Sequence, residues 1–256
     1  MKQPIPITVA DELRFSTAKN TVLSEQTLDA GIGTLSEKTL HKILKLYIEP
    51  DSSKHEIKHL GSIADVKNED GIFEIQTRNY DKLFPKLKKF LPDTHVTVIC
   101  PLASEKYVRW INKETGEIGE KRKSPKRESI YDAFKLLFGI RGILPNENLT
   151  VRVMYLKVDD FRYLNGWDKS RKRGSSRMER IPNAILGEQV LRTAEDYADF
   201  IPSTLGNEFT APELAREIKR TSRFTFYVLK LLVAVGALSE AGKRGRVTLY
   251  KRNFPI

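Results

Sequence analysis

The sequence is short of cysteine and of long apolar runs. Its one cysteine, Cys100, excludes an internal disulfide, and its place in the apolar run 96–100 predicts a small buried strand residue rather than a catalytic thiol. A membrane-spanning helix needs about 18 consecutive apolar residues, whereas the longest apolar stretch, 229–238, is interrupted by Lys230 and Gly236. No secretory leader pattern is present at the amino terminus. We therefore expect a cytoplasmic protein with no membrane partner.

Positive charge is what the sequence has in excess. The 256 residues include 44 Lys and Arg against 33 Asp and Glu, a formal net charge of +11. Such a surface attracts polyanions such as nucleic acid or anionic membrane. Since domains usually contain roughly 100 to 200 residues, the length allows one large or two ordinary domains. Changes in pattern favour two, and we predict an irregular amino-terminal arm at 1–34, a first domain at 35–180 and a second at 190–256.

The first predicted domain begins with a helix and a hairpin. Ser36 is placed to cap a helix with one apolar face, formed by Leu40, Ile43, Leu44 and Tyr47. The runs 63–67 and 72–77 then alternate between apolar and polar residues on either side of an Asp-Gly pair, which is a hairpin signal. A short helix near 83–91 and a buried strand at 96–102 follow. The order of elements is helix, hairpin, helix, strand.

Acidic side chains cluster on this hairpin. Glu74 and Gln76 lie two residues apart and so share one face of a strand, and Asp65 lies in the neighbouring strand. Glu37, near the start of the first helix, falls on the same side as that helix's apolar face. Carboxylate oxygens are the ligands that Mg²⁺ or Mn²⁺ prefers, and a cation held this way activates water against a phosphate. The alternative is that Asp65 and Glu74 only solubilise an exposed hairpin.

This arrangement resembles the PD-(D/E)xK nuclease superfamily, which includes many restriction enzymes and Holliday-junction resolvases. The resemblance covers about residues 35–105 and implies an α/β restriction-endonuclease-like core, a mixed sheet flanked by helices. It implies that Glu37 is the helix acid and that Asp65 and Glu74 are the strand acids that bind the metal. Gln76 stands where Lys is usual, as it does in some restriction enzymes of the superfamily. The missing charge then has to come from the metal and a nearby base such as Lys58 or Lys67.

The last sixty residues have the pattern of an α+β winged-helix domain. A short helix at 194–200, a capping box opening a helix at 214–219 and a third helix capped by Thr221 or Ser222 are followed by two short strands. This resembles the winged helix-turn-helix of bacterial regulators, in which the third helix enters the major groove of DNA. The predicted DNA contacts of this domain are Arg223, Thr225 and Lys230 on the third helix, Arg220 just before it, and Lys243, Arg244 and Arg246 on the wing. A winged helix used for protein contacts is the alternative.

Two further basic segments flank the predicted nuclease core. Residues 121–127 contain five basic side chains in seven positions, and 167–180 contain six against two acids in a predicted loop. The residues assigned to DNA phosphates are Lys121, Arg122, Lys123, Arg171, Lys172 and Arg173.

These observations predict a divalent-metal-dependent endonuclease that acts on double-stranded DNA. Its predicted catalytic residues are Glu37, Asp65, Glu74 and Gln76. The cofactor would be Mg²⁺ or Mn²⁺. A homodimer is left open. The first alternative is a DNA-binding transcriptional regulator with an inactive nuclease-like domain, which Gln76 favours. The second is an RNA-binding or RNA-processing protein, because basic charge does not distinguish the two polymers.

Overall fold

A computed structural model describes residues 2–29, 38–163 and 176–255. Its strands are β1 (His55–His59), β2 (Ser62–Asn68), β3 (Gly71–Ile75), β4 (Val96–Ile111), β5 (Arg122–Lys123), β6 (Leu149–Tyr163), β7 (Ser176–Leu191), β8 (Glu208–Thr210), β9 (Leu238–Arg244) and β10 (Val247–Arg252). Its helices are α1 (Val9–Asp29), α2 (Lys38–Ile48), α3 (Phe84–Phe90), α4 (Ile130–Leu137), α5 (Ala194–Ala198), α6 (Ala211–Glu217) and α7 (Ser222–Ala234).

A seven-stranded mixed sheet organises the chain up to residue 191. The strand order is β1-β2-β3-β4-β6-β7, with β5 paired to β4. The strands β3, β4 and β6 are parallel, and the pairs β1–β2, β2–β3 and β6–β7 are antiparallel. The predicted Asp-Gly hairpin is confirmed as β2 and β3, which pair Asn68 with Gly71. The prediction of a mixed α/β sheet flanked by helices is therefore confirmed.

Helices cover both faces of this sheet. Against one face, α1 and α2 bury the side chains of Phe15, Ile43 and Tyr47 together with Phe73 and Ile99 of the sheet. The predicted apolar face of α2 is confirmed, because its four residues are at most 4% exposed. On the other face, a second buried cluster holds α3, α4 and the whole carboxy-terminal unit. Cys100 is fully buried within it, as expected.

The predicted irregular arm at 1–34 is wrong for the part that the structure describes. Residues 9–29 form α1, whose Phe15, Ala18 and Val22 are buried against α2. Leu13 is 70% exposed on the same helix. Since apolar residues lie on several sides of α1, it lacks the single stripe by which an amphipathic helix is recognised.

The predicted loop at 167–180 is also wrong at its end, because β7 begins at Ser176. This strand pairs with β6 along its length in spite of its charged side chains, Pro182 and Gly187, with several shifts of register. Residue 180, where the first domain was predicted to end, thus lies inside a strand of the sheet. In addition, β4 extends well beyond the predicted strand at 96–102, to Ile111.

The carboxy-terminal unit contains three helices and a small antiparallel sheet with strand order β8-β10-β9. The predicted capping box of α6 is confirmed by Thr210 and Glu213, and Thr221 caps α7. This unit packs on the large sheet through α4, whose Phe134 ring contacts Tyr197 and Phe200 of the carboxy-terminal unit. One buried cluster therefore joins the two predicted domains.

Candidate active site and nucleic-acid interface

The hairpin of β2 and β3 brings Asp65 beside Glu74. The paired part of the ladder ends at Val66 and Phe73, and Asp65 and Glu74 are the next residues beyond it on the two strands. At this point the Asp65 carboxylate accepts a hydrogen bond of 2.7 Å from the backbone N–H of Ile75. That bond holds the carboxylate at the end of β3. The negative charge of Asp65 also contributes to a raised pKa of Glu74, as expected for neighbouring carboxyl groups.

Glu74 is a buried acid with an incomplete set of partners. It is 2% exposed. Its Oε2 accepts a 2.6 Å hydrogen bond from Lys86 Nζ of α3, whereas its buried Oε1 makes no hydrogen bond of ordinary geometry in the described part of the chain, although the backbone of Asp65 lies near enough to lower the pKa of Glu74. Burial raises the pKa of Glu74 to about 8, Asp65 adds to the rise and Lys86 opposes it. A buried carboxylate oxygen that makes no hydrogen bond of ordinary geometry is the kind of group that a cation satisfies.

Lys86 is a neighbour of Glu74 that the sequence did not indicate. The expectation that Lys58 or Lys67 would supply the missing positive charge is not supported, because Lys58 is exposed and Lys67 contacts His59. Lys86 follows Glu74 by 12 positions and lies on a different element. Only the packing of α3 against β3 brings the two together.

The other predicted catalytic residues have different positions. Gln76 does not contact the carboxylates: its Nε2 donates to the backbone carbonyls of Arg78 and Asn79 in the loop after β3. Glu37 lies outside the described residues. Within residues 2–29, 38–163 and 176–255, no three His, Cys, Asp or Glu side chains form a group that could hold a metal. The donor set that the structure describes is therefore the pair Asp65 and Glu74.

The raised pKa of Glu74 predicts how stability depends on pH. Its pKa in the folded protein, about 8, lies above the ordinary value of 4.5, so the folded chain keeps a proton that the unfolded chain loses. The free energy of unfolding should therefore fall as pH rises from about 4.5 to about 8, relative to a Glu74→Gln variant, which does not titrate there. Denaturant unfolding of both proteins in EDTA, at several pH values from 4 to 9, measures the difference. If the free energies of unfolding of the two proteins changed with pH in the same way, Glu74 would not be a protonated, buried carboxyl group.

The basic segment before α4 is partly engaged within the protein. Lys121 Nζ lies 2.8 Å from an Asp159 carboxylate oxygen, and Lys123 Nζ lies 3.6 Å from Glu105. Arg122 is exposed. These side chains keep a cationic surface beside β4, although two of them already have carboxylate partners. Arg171, Lys172 and Arg173 lie outside the described residues.

The structure changes the predicted interface on α7. The prediction that Thr225 contacts DNA is wrong, because this side chain is fully buried and its hydroxyl donates a hydrogen bond to the Thr221 carbonyl. Arg220 turns inward and binds Asp132 of α4 at 2.6 Å. The outward side instead carries Arg223, which is exposed, and Phe226, which is 49% exposed and which the sequence analysis did not select.

The wing remains cationic and open. Lys243, Arg244 and Arg246 are all exposed at the tip formed by β9 and β10. Arg244 binds Glu213 of α6 at 2.9 Å. Beside the wing, Lys230 of α7 binds Glu240 of β9 at 2.7 Å. Lys243 and Arg246 are thus the wing residues with the most unused charge.

Comparison with known proteins gives a family and one relative. Residues 38–192, from α2 through the end of β7, match the family described as Domain of unknown function (DUF8091). A Treponema pallidum (strain Nichols) protein described as uncharacterized is 31% identical over 225 residues, which is 88% of each chain. No solved structure matches the chain. Among the described residues, no helix is long and apolar enough to cross a membrane.

Proposed function

The chain belongs to the DUF8091 family, and we propose that it is a divalent-metal-dependent endonuclease that hydrolyses phosphodiester bonds of double-stranded DNA. The observation that carries the proposal is the group at the end of the hairpin, where Asp65, Glu74 and Lys86 meet. One carboxylate oxygen of Glu74 is buried and makes no hydrogen bond of ordinary geometry in the described part of the chain, and a cation bound there would complete it.

The order of elements supports a restriction-endonuclease-like core. The run α2, β1, β2, β3, α3, β4 has the helix, hairpin, helix and strand order of the PD-(D/E)xK pattern, with one extra strand, β1, between the first helix and the hairpin. Within this run, β2 and β3 pair antiparallel, and β3 and β4 pair parallel. The acids lie on β2 and β3, the strands to which the resemblance assigned them.

The residues of this group would divide the chemistry between them. Asp65 and Glu74 would hold Mg²⁺ or Mn²⁺, which when bound polarises a phosphate and makes hydroxide available at neutral pH. The Ile75 N–H fixes the orientation of Asp65. Lys86 opposes the rise in the pKa of Glu74, and its ammonium group would stabilise negative charge that develops on the phosphate. In this proposal Lys86 supplies the positive charge that a Lys at the position of Gln76 would usually supply.

The carboxy-terminal unit would direct the enzyme to DNA as a winged helix. Its order α5, β8, α6, α7, β9, β10 has three helices and a two-stranded wing, and β8 pairs with β10. Arg223 and Phe226 on α7 and the cationic tip of the wing would face the duplex. Cytoplasmic localisation and a homodimer stay predictions.

Gln76 supports a second candidate function. Its amide is used by backbone carbonyls of the following loop and lies apart from the carboxylates, which is compatible with a DNA-binding regulator whose nuclease-like domain is inactive. Supercoiled plasmid incubated with the purified protein in Mg²⁺, in Mn²⁺ and in EDTA separates the two. Nicked or linear product with metal supports the nuclease. Binding to a duplex without any cleavage product would support the DNA-binding regulator instead.

The wing predicts a change in the salt dependence of binding. Each phosphate that is neutralised contributes about −0.9 to the slope of log K against log salt, so replacing Lys243, Arg244 and Arg246 by Ala should flatten the slope by about two to three units. The smaller value is expected if Arg244 stays on Glu213. Fluorescence anisotropy with a labelled duplex at several salt concentrations measures it. An unchanged slope would remove the wing from the interface.

A further inference from the structure

A pocket lies beside the carboxylate pair, between α2, β1 and the loop that follows β3. Its volume is about 640 Å³, within the range of roughly 300 to 1,000 Å³ typical of small-ligand sites. The residues that line it are His41, Lys42, Lys45, Glu56, Gln76, Thr77, Arg78, Asn79 and Lys82. The pocket is therefore large enough for a nucleotide-sized group.

The lining of this pocket is strongly cationic. Three lysines and Arg78 face one acid, Glu56, which forms an ion pair with Lys45. Lys42 and Lys82 are exposed and, among the residues that the structure describes, have no ion-pair partner. The charge of Lys42 and Lys82 favours an anion, and Lys and Arg side chains with amide donors are the groups that bind phosphate oxygens.

Two lining residues have a strained backbone. Glu56 has φ 53° and Asn79 has φ 55°, both in the left-handed region, and neither is glycine. Asn adopts this conformation comparatively easily, but Glu does not. Such strain collects at functional sites, where the surrounding structure maintains it. Both residues line this pocket, whereas the other two such residues of the described chain, Leu60 and Lys219, do not.

The pocket is also close to the proposed chemistry. Gln76 lines it and follows Glu74 by two positions in one extended segment, a separation of about 7 Å at the usual rise of a strand. A phosphate held in this pocket would therefore lie near the end of β3, the strand that carries Glu74.

We propose that the pocket binds a phosphate group of one nucleic-acid strand, next to the phosphate that is cut. The proposal rests on the proposed nuclease function. It assigns the main contacts to Lys42 and Lys82, with Arg78 and the amide of Asn79 behind them. A free nucleotide or inorganic phosphate has the same chemistry and is the other source to be distinguished.

Binding of a short strand tests the proposal without any cleavage. Anisotropy of fluorescein-labelled tetrathymidylate is measured in EDTA at low salt for the unmodified chain and for Lys42→Ala/Lys82→Ala. Because each charged contact that is lost weakens binding by about tenfold, the double variant should bind about 100-fold more weakly. The matched control is Lys88→Ala/Lys113→Ala, which removes two exposed lysines outside the pocket, and Lys42→Arg/Lys82→Arg should retain most of the affinity.

Three outcomes are separable. Equal affinity of the pocket and control variants would overturn the proposal, even if the protein cuts plasmid. A free ligand would replace the strand as the occupant if two results were found together. Inorganic phosphate or thymidine monophosphate would have to compete for the pocket as well as the oligonucleotide does, and the pocket variant would have to lose binding of these small ligands. Pocket-dependent binding of the strand without cleavage in any metal would support the pocket and contradict the nuclease function instead. Thermal melting of each variant confirms that it is folded.

Discussion

A Glu74→Gln protein is expected to bind duplex DNA as the unmodified chain does and to cut it at least about 1,000-fold more slowly. Stabilisation of the transition state by a bound metal amounts to several kcal/mol, and each 1.36 kcal/mol changes the rate about tenfold. The substitution keeps the shape of the side chain but removes the carboxylate that would hold the cation. The measurement is the initial rate of plasmid cleavage in Mg²⁺, with affinity followed separately in EDTA.

The design separates chemistry from folding and binding. The acid Glu114 lies exposed in the turn after β4, and Glu114→Gln should leave both rate and affinity unchanged. Asp65→Asn should lower the rate as Glu74→Gln does, because it removes the other proposed ligand. Undiminished cleavage by Glu74→Gln would place the active site elsewhere, since the buried oxygen of Glu74 is the main structural support for the metal.

Removing Lys86 should have the second largest effect, a loss of cleavage of about 100-fold at neutral pH. Loss of one group that stabilises charge in the transition state has roughly this size in other enzymes. The pH profile supplies a second readout. Because Lys86 opposes the rise in the pKa of Glu74, Lys86→Ala should raise that pKa further, and its deficit should be greater at pH 7 than at pH 9.

Two matched variants interpret this result. Lys86→Arg keeps the positive charge and should restore much of the activity. Lys89→Ala changes a lysine of the same helix that is exposed and contacts Ser62 instead of Glu74, so it should have little effect. If Lys86→Ala and Lys89→Ala cut equally well across the pH range, Lys86 only neutralises a buried acid and has no part in the reaction.

The hairpin could be predicted because its signal is local. Alternating residues on both sides of Asp70-Gly71 specify two strands and the turn between them, and the pairing that follows brings Asp65 beside Glu74. The helices of the carboxy-terminal unit were predictable for the same reason, since Thr210, Glu213 and Thr221 cap helices within a few positions of themselves.

Features that depend on contacts between distant segments were not predictable. The strand β7 has a charged, irregular sequence, and its conformation depends on hydrogen bonds to β6. Lys86 has an ordinary position on a short helix and becomes significant only where α3 packs beside β3. The burial of Thr225 has the same origin, because tertiary packing decides which side of α7 faces outward.

The helix α4 lies between the large sheet and α7, and it fastens the two parts together. The Tyr131 hydroxyl donates to the Phe200 carbonyl at 2.9 Å, and Arg220 reaches Asp132 from the other side. Since α4 contacts both parts, a duplex bound to α7 would meet the carboxylates at an offset that α4 sets. Such an enzyme would cut at a set number of base pairs from the bound sequence, and its cuts would not be scattered along the DNA.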